Sequence, residues 1–156
     1  MAHPLRAVTL DFVDSAPLRL VFTTEAVSPP EAVFRGLADI PGWPDWFDAV
    51  AYARPTDDGA GREIRLKGGV RFLETIMAED RAERYAYRID RSNAPGLHAL
   101  LEEWRLSPSG TGTRVRYTFA VDGTAVLRTA LRLGRPGLGH AFRRAVRALD
   151  RRLQAG

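Results

Sequence analysis

The chain contains no cysteine, which excludes disulfide staples, thiolate nucleophiles and cysteine metal sites. Its three histidines, His3, His98 and His140, stand far apart on what read as unrelated elements, so no metal-ligand spacing is present and no metal or other cofactor is expected. Lysine occurs once, at Lys67, among 23 basic residues. This nearly pure arginine usage is read as genomic base composition rather than as a phosphate-binding surface. No apolar run approaches the roughly 20 residues of a membrane helix, and Met1-Ala2-His3-Pro4-Leu5-Arg6 lacks the apolar stretch of a signal peptide. A soluble, cytoplasmic protein is expected. Glycine-rich phosphate loops and nucleophile elbows are also missing.

What is present is enough for one core. A chain of 156 residues buries roughly 68–70% of its unfolded surface without staples. Net charge is +4, but it is uneven: residues 124–156 carry eight arginines against the single acid Asp150. Basic interleaved aromatics and nucleic-acid motifs do not accompany that segment, so nucleic acid is not an expected partner. Residues 1–17 read as an N-terminal extension and 18–154 as a single domain.

Ser28-Pro29-Pro30-Glu31 reads as a capping box with proline in the first helical turn, and Val27 is placed to staple onto the helix behind it. It follows a first strand over 18–27 and opens a helix over about 29–38. Pro41, Gly42 and Pro44 then leave only a short helical turn carrying Trp43 and Trp46, with a second strand beginning near Phe47. Five turn signals from Asp57 to Gly112 imply six consecutive strands, seven with the first. Gly68-Gly69 is a strong hairpin signal, since both residues can adopt the positive φ of primed turns. Leu138, Phe142, Ala145, Val146, Leu149 and Leu153 repeat at three and four, with arginines opposite, which predicts a long amphipathic C-terminal helix. A shorter helix over about 124–133 precedes it.

Charge alternation shows which strand faces are apolar. Tyr85, Tyr87 and Ile89 share an inward face, as do Val115, Tyr117 and Phe119. Leu100, Glu102, Trp104 and Leu106 go together, so an inward Trp104 brings Glu102 with it. Over residues 70–77 both faces are apolar, and either Glu74 or Thr75 points inward. A buried carboxyl is desolvated, which raises its pKa toward neutrality and suits it to proton transfer; Glu102 and Glu74 are the candidate catalytic residues. Trp46, Phe47, Thr75, Tyr85, Tyr87, Trp104, Tyr117, Phe119 and Phe142 are the candidate ligand contacts, with Trp46 and Phe47 foremost and Trp43 packing the short helices.

The order of Ser28-Pro29-Pro30-Glu31-Ala32-Val33-Phe34, Asp39-Ile40 with Trp43 and Trp46, Gly112-Thr113-Arg114-Val115 and a terminal helix resembles the START-like superfamily, which includes Bet v 1 relatives, lipid-transfer domains and polyketide cyclase/dehydrase proteins. The resemblance implies an α+β helix-grip fold: a seven-stranded antiparallel sheet curled around a long C-terminal helix, two short helices between its first two strands, and a cavity for a small hydrophobic ligand. It implies a carrier or sensor, or alternatively a cyclase/dehydrase-type enzyme using an inward glutamate. The family's cyclases hold a polyketide with an arginine on a central strand. That motif falls here at Leu73-Glu74-Thr75, where arginine is missing, and Arg71 could replace it only by sharing an inward face with Leu73. The arginine-rich C-terminal segment leaves a third reading open, contact with an anionic membrane surface or an acidic carrier protein. Either a monomer or a homodimer fits.

Overall fold

In the computed structural model, which describes residues 1–156, period-two alternation builds an eight-stranded, wholly antiparallel sheet. The strands are β1 (His3–Pro4), β2 (Leu18–Ala26), β3 (Val50–Thr56), β4 (Gly61–Leu66), β5 (Arg71–Asp80), β6 (Arg84–Ser92), β7 (Leu97–Ser109) and β8 (Gly112–Gly123). Seven of them run in the order β2-β8-β7-β6-β5-β4-β3, while the two-residue β1 pairs with β6. The helices are α1 (Phe12–Ser15), α2 (Pro30–Ala38), α3 (Trp43–Trp46), α4 (Ala125–Leu133) and α5 (Arg135–Ala155). This is the expected α+β helix-grip arrangement, with one strand more than the seven anticipated. No helix is long and apolar enough to cross a membrane.

Strands β2 and β3, consecutive in the sequence, lie at opposite edges of the sheet. The chain bridges them through α2, a 3-10 turn at Ile40–Gly42 and the single turn of α3. Helix α5 packs along β2 at one edge and against α2 and α3 on the other side, so that sheet, short helices and α5 enclose a common interior. Trp104 on β7 is fully buried at its centre, with ring centroids 4.8 Å from Tyr117, 5.7 Å from Phe142 and 5.8 Å from Trp43. The extension crosses the outer face instead. There Val8, Phe12 and Val13 form a second, smaller core with Ala99, Leu101 and Ala120.

Gly68 and Gly69 take φ values of +100° and +99° in the β4–β5 hairpin, as the turn chemistry requires. The capping box does not form. Pro29 is the N-cap residue of α2 and offers no side-chain cap; Glu31 pairs with Arg81 and Arg35 instead, and Val27 is exposed rather than stapled. The cause is a stronger acceptor arriving from elsewhere. Asp150 on α5 accepts the backbone N–H groups of Val27 at 2.7 Å and Ser28 at 2.9 Å, while the Ser28 carbonyl accepts from Thr113 Oγ1 at 2.7 Å. The second strand of the notional seven also starts three residues late, at Val50, because Phe47 N–H is still bonded back to the Trp43 carbonyl.

The only acid of the basic C-terminal segment thus fastens α5 to the β2–α2 junction. Burial works against its charge, but the bonds from Ser28 and Val27 outweigh it and hold the Asp150 carboxyl below its usual pKa. Two amides bonded to a carboxylate should make Asp150→Ala cost about 1–3 kcal/mol in urea unfolding at neutral pH. Asp150→Asn, which keeps one acceptor oxygen, should lose less. Equal and negligible losses would show that this junction does not hold the helix.

Candidate functional site

Between α5 and the inner sheet face lies a cavity of about 220 Å³. Fourteen of its seventeen lining residues are hydrophobic, and the other three, Arg62, Glu74 and Glu102, are all charged. Phe22 (β2), Trp43 (α3), Phe47, Val50 (β3), Ile64 and Leu66 (β4), Phe72 (β5), Phe119 (β8), Leu138, Ala141 and Phe142 (α5) form the apolar wall. The volume lies below the roughly 300–1,000 Å³ usual for drug-sized ligands, which favours a molecule of one or two rings over a long-chain lipid.

Arg62 holds the polar end together. It is 1% exposed, and its guanidinium carbon lies 4.2 Å from the Trp43 ring centroid and 3.8 Å from that of Tyr87. A guanidinium between two aromatic faces is attracted by both ring quadrupoles and has little hydration to lose. Its Nε donates to Glu74 Oε1 on the neighbouring strand, where Arg62 and Glu74 are register partners. Desolvation opposes the Arg62 charge, but Glu74 and the surrounding tyrosines outweigh it and its pKa is raised; the cation is permanent.

Glu102 sits beside this pair. Tyr87 donates its hydroxyl to Glu102 Oε1 at 2.7 Å and Tyr117 to the same oxygen at 2.5 Å. Trp104 Nε1 donates to the Tyr87 oxygen at 3.2 Å, which directs the Tyr87 proton onto the carboxylate. Burial raises the Glu102 pKa, partly offset by the Tyr117 and Tyr87 bonds. Desolvation, against the pull of Arg62 and with the push of Glu102, raises Glu74 to about 7. One cation therefore serves two buried carboxylates, and the group titrates as a unit.

Of the residues singled out by sequence, Glu74, Glu102, Phe47, Tyr87, Tyr117, Phe119 and Phe142 line the cavity and four do not. Thr75 is on the opposite face, where it donates to Asp90 at 2.5 Å, so Glu74 is the inward one of the two. Tyr85 is buried deeper, edge-on to Phe34. Trp104 stands behind Tyr87 and supports it. Trp46 lines an adjoining cleft rather than this cavity, and Trp43 takes the place expected of it: Trp43 Nε1 donates to the Leu37 carbonyl at 2.8 Å, which fixes the indole over Arg62. Arg71 does not enter the cavity. It lies with Leu73 on the outer face and donates to Glu63 at 2.9 Å. The inward arginine is Arg62, which the sequence reading missed although Arg62, Ile64 and Leu66 alternate on one face of β4.

Glu74 yields a pH prediction. A carboxyl raised from 4.5 to about 7 binds its proton more tightly in the folded chain than in the unfolded one, so its contribution to stability falls as pH rises between those values. Stability from urea unfolding should drop by on the order of 1–3 kcal/mol from pH 5 to pH 7.5. Glu74→Gln should resemble the parent near pH 5 and lose most of that slope. A parent protein whose stability rises or stays level across the window would contradict this arrangement.

Residues 18–154 match a family described as polyketide cyclase / dehydrase and lipid transport. Uncharacterized proteins of Mycobacterium tuberculosis and Mycobacterium bovis are each 30% identical to the chain over 154 residues, 96% of it and 92% of their own length. Two solved structures are similar in fold. The XoxI protein of Bacillus cereus matches with a TM-score of 0.72 at 15% identity, over 87% of this chain and 95% of that one. A START superfamily protein of Mycobacterium smegmatis matches with 0.68 at 11% identity, over 88% and 97%.

Proposed function

Since the chain belongs to the polyketide cyclase / dehydrase and lipid transport family, we propose that it binds a small, mainly apolar molecule in the cavity between sheet and α5, as a carrier or sensor. The carrying observation is the cavity itself, with fourteen hydrophobic lining residues and its three charges gathered at one end. Removal of the ligand's apolar surface from water supplies affinity at about 25 cal/mol per Å², and the polar end sets orientation.

The cyclase/dehydrase reading has its own support in Glu102. Both tyrosine protons converge on Oε1, so Oε2 is left to accept a proton from a bound molecule while Tyr117 or Tyr87 steadies the carboxyl. Turnover would then need Glu102, and binding alone would not.

Native mass spectrometry of the purified protein tests the main reading. A stoichiometric apolar adduct is expected, and it should be lost in Ala141→Trp, which fills the cavity from α5 without touching the charged end. Bare protein that also fails to take up naphthalene would contradict it. If Glu102→Gln retains the adduct but abolishes conversion of a ligand the parent transforms, the enzyme reading replaces the carrier one.

A further inference from the structure

The polar end of the cavity is asymmetric in what it leaves unpaired. Arg62, the sole cation, is engaged: Nε holds Glu74, and its two faces are covered by Trp43 and Tyr87. The Tyr87 and Tyr117 hydroxyls have committed their protons to Glu102 Oε1, and Trp104 Nε1 has committed its own to Tyr87. Every strong donor at this end is thus spent inside the protein. Glu102 Oε2 is the acceptor that remains, on a residue that lines the cavity. With both carboxylates ionised the end carries one positive and two negative charges.

We propose, on the reading that the cavity binds a ligand, that it selects apolar molecules of one or two rings whose head donates a hydrogen bond, a hydroxyl or a protonated amine, and rejects those ending in a carboxylate. A donor head completes Glu102 Oε2. A carboxylate head finds no free donor and meets two carboxylates in a medium of low dielectric, where like charges are strongly unfavourable. Two features keep Glu102 the accepting form. Two O–H bonds on one oxygen stabilise its anion, and burial with the Glu102 charge raises both tyrosines, so they remain protonated donors. The cavity's small volume, about 220 Å³, limits the body to which the head is attached.

Four probes with one body test this: naphthalene, 2-naphthol, 2-naphthylmethylamine and 2-naphthoate, titrated at pH 7.5 by calorimetry. A bond to a charged acceptor is worth roughly 10–100-fold in affinity. The naphthol or the ammonium should therefore bind at least about tenfold more tightly than naphthalene, and naphthoate more weakly than either. A tighter ammonium identifies an amine as the ligand source, and a tighter naphthol identifies a hydroxyl; both outcomes support the proposal. Glu102→Gln replaces one acceptor oxygen by an N–H₂ donor while Oε1 can still receive the tyrosines, so it should reverse the order and favour naphthoate. Naphthoate binding as well as naphthol to the parent, or naphthalene binding equally well, overturns the proposal and leaves the cavity reading standing. No binding by any probe overturns both.

Discussion

A guanidinium is held between two aromatic rings, and much of the interior is arranged around it. Arg62 needs Trp43 on one side, which comes from α3, and Tyr87 on the other, which comes from β6. It also needs Glu74 from β5 as its counterion. Each partner lies on a different element, so the register of β4, β5 and β6 and the seating of α3 must all be right at once. Such a buried pair is weak evidence for stability, since replacing it with hydrocarbon is often neutral or better, whereas removing one partner costs several kcal/mol. What it does supply is a fixed charge in a cavity that is otherwise oily.

That charge then shapes the chemistry around it. Glu102 lacks a cation of its own and is stabilised by hydroxyl bonds, with Trp104 setting the direction of one of them. Trp104 thus acts at a distance: it contributes to the core through Trp43, Tyr117 and Phe142, and to the site through a single N–H. Packing and polarity are in this way carried by the same side chains. The family's common plan supplies the sheet and the gripping helix, and this chain has placed its interior arginine on β4 where the cyclase pattern would have it at residues 73–75.

Much of the fold was legible because its signals are local. The Gly68-Gly69 hairpin, the three-and-four spacing of α5 and the alternation in β6 and β8 each need only a few neighbouring residues. The failures were of two physical kinds. Ser28 carried a good capping sequence, but its amide found a better acceptor in Asp150, which is 122 residues away; no local pattern contains that. On β4, Arg62 and Glu63 are both buried, one on each face, since Arg54, Arg65 and Arg71 cover Glu63 from outside. Charge therefore could not mark the solvent side of that strand. The inward position of Glu102 was readable because Trp104 sits two residues away, and that of Glu74 was not, because both faces of β5 are apolar.

The most direct test of this account is the NMR signal of the Arg62 side-chain Nε–H, assigned through Arg62→Met. A guanidinium enclosed by Trp43 and Tyr87 and bonded to Glu74 should give a separate resonance, shifted by the rings, that survives in water long after the signals of surface arginines have exchanged. An Arg62 signal that overlaps the surface set and exchanges as fast would mean that the guanidinium is open to solvent, and the fixed charge on which the cavity's chemistry depends would be lost with it.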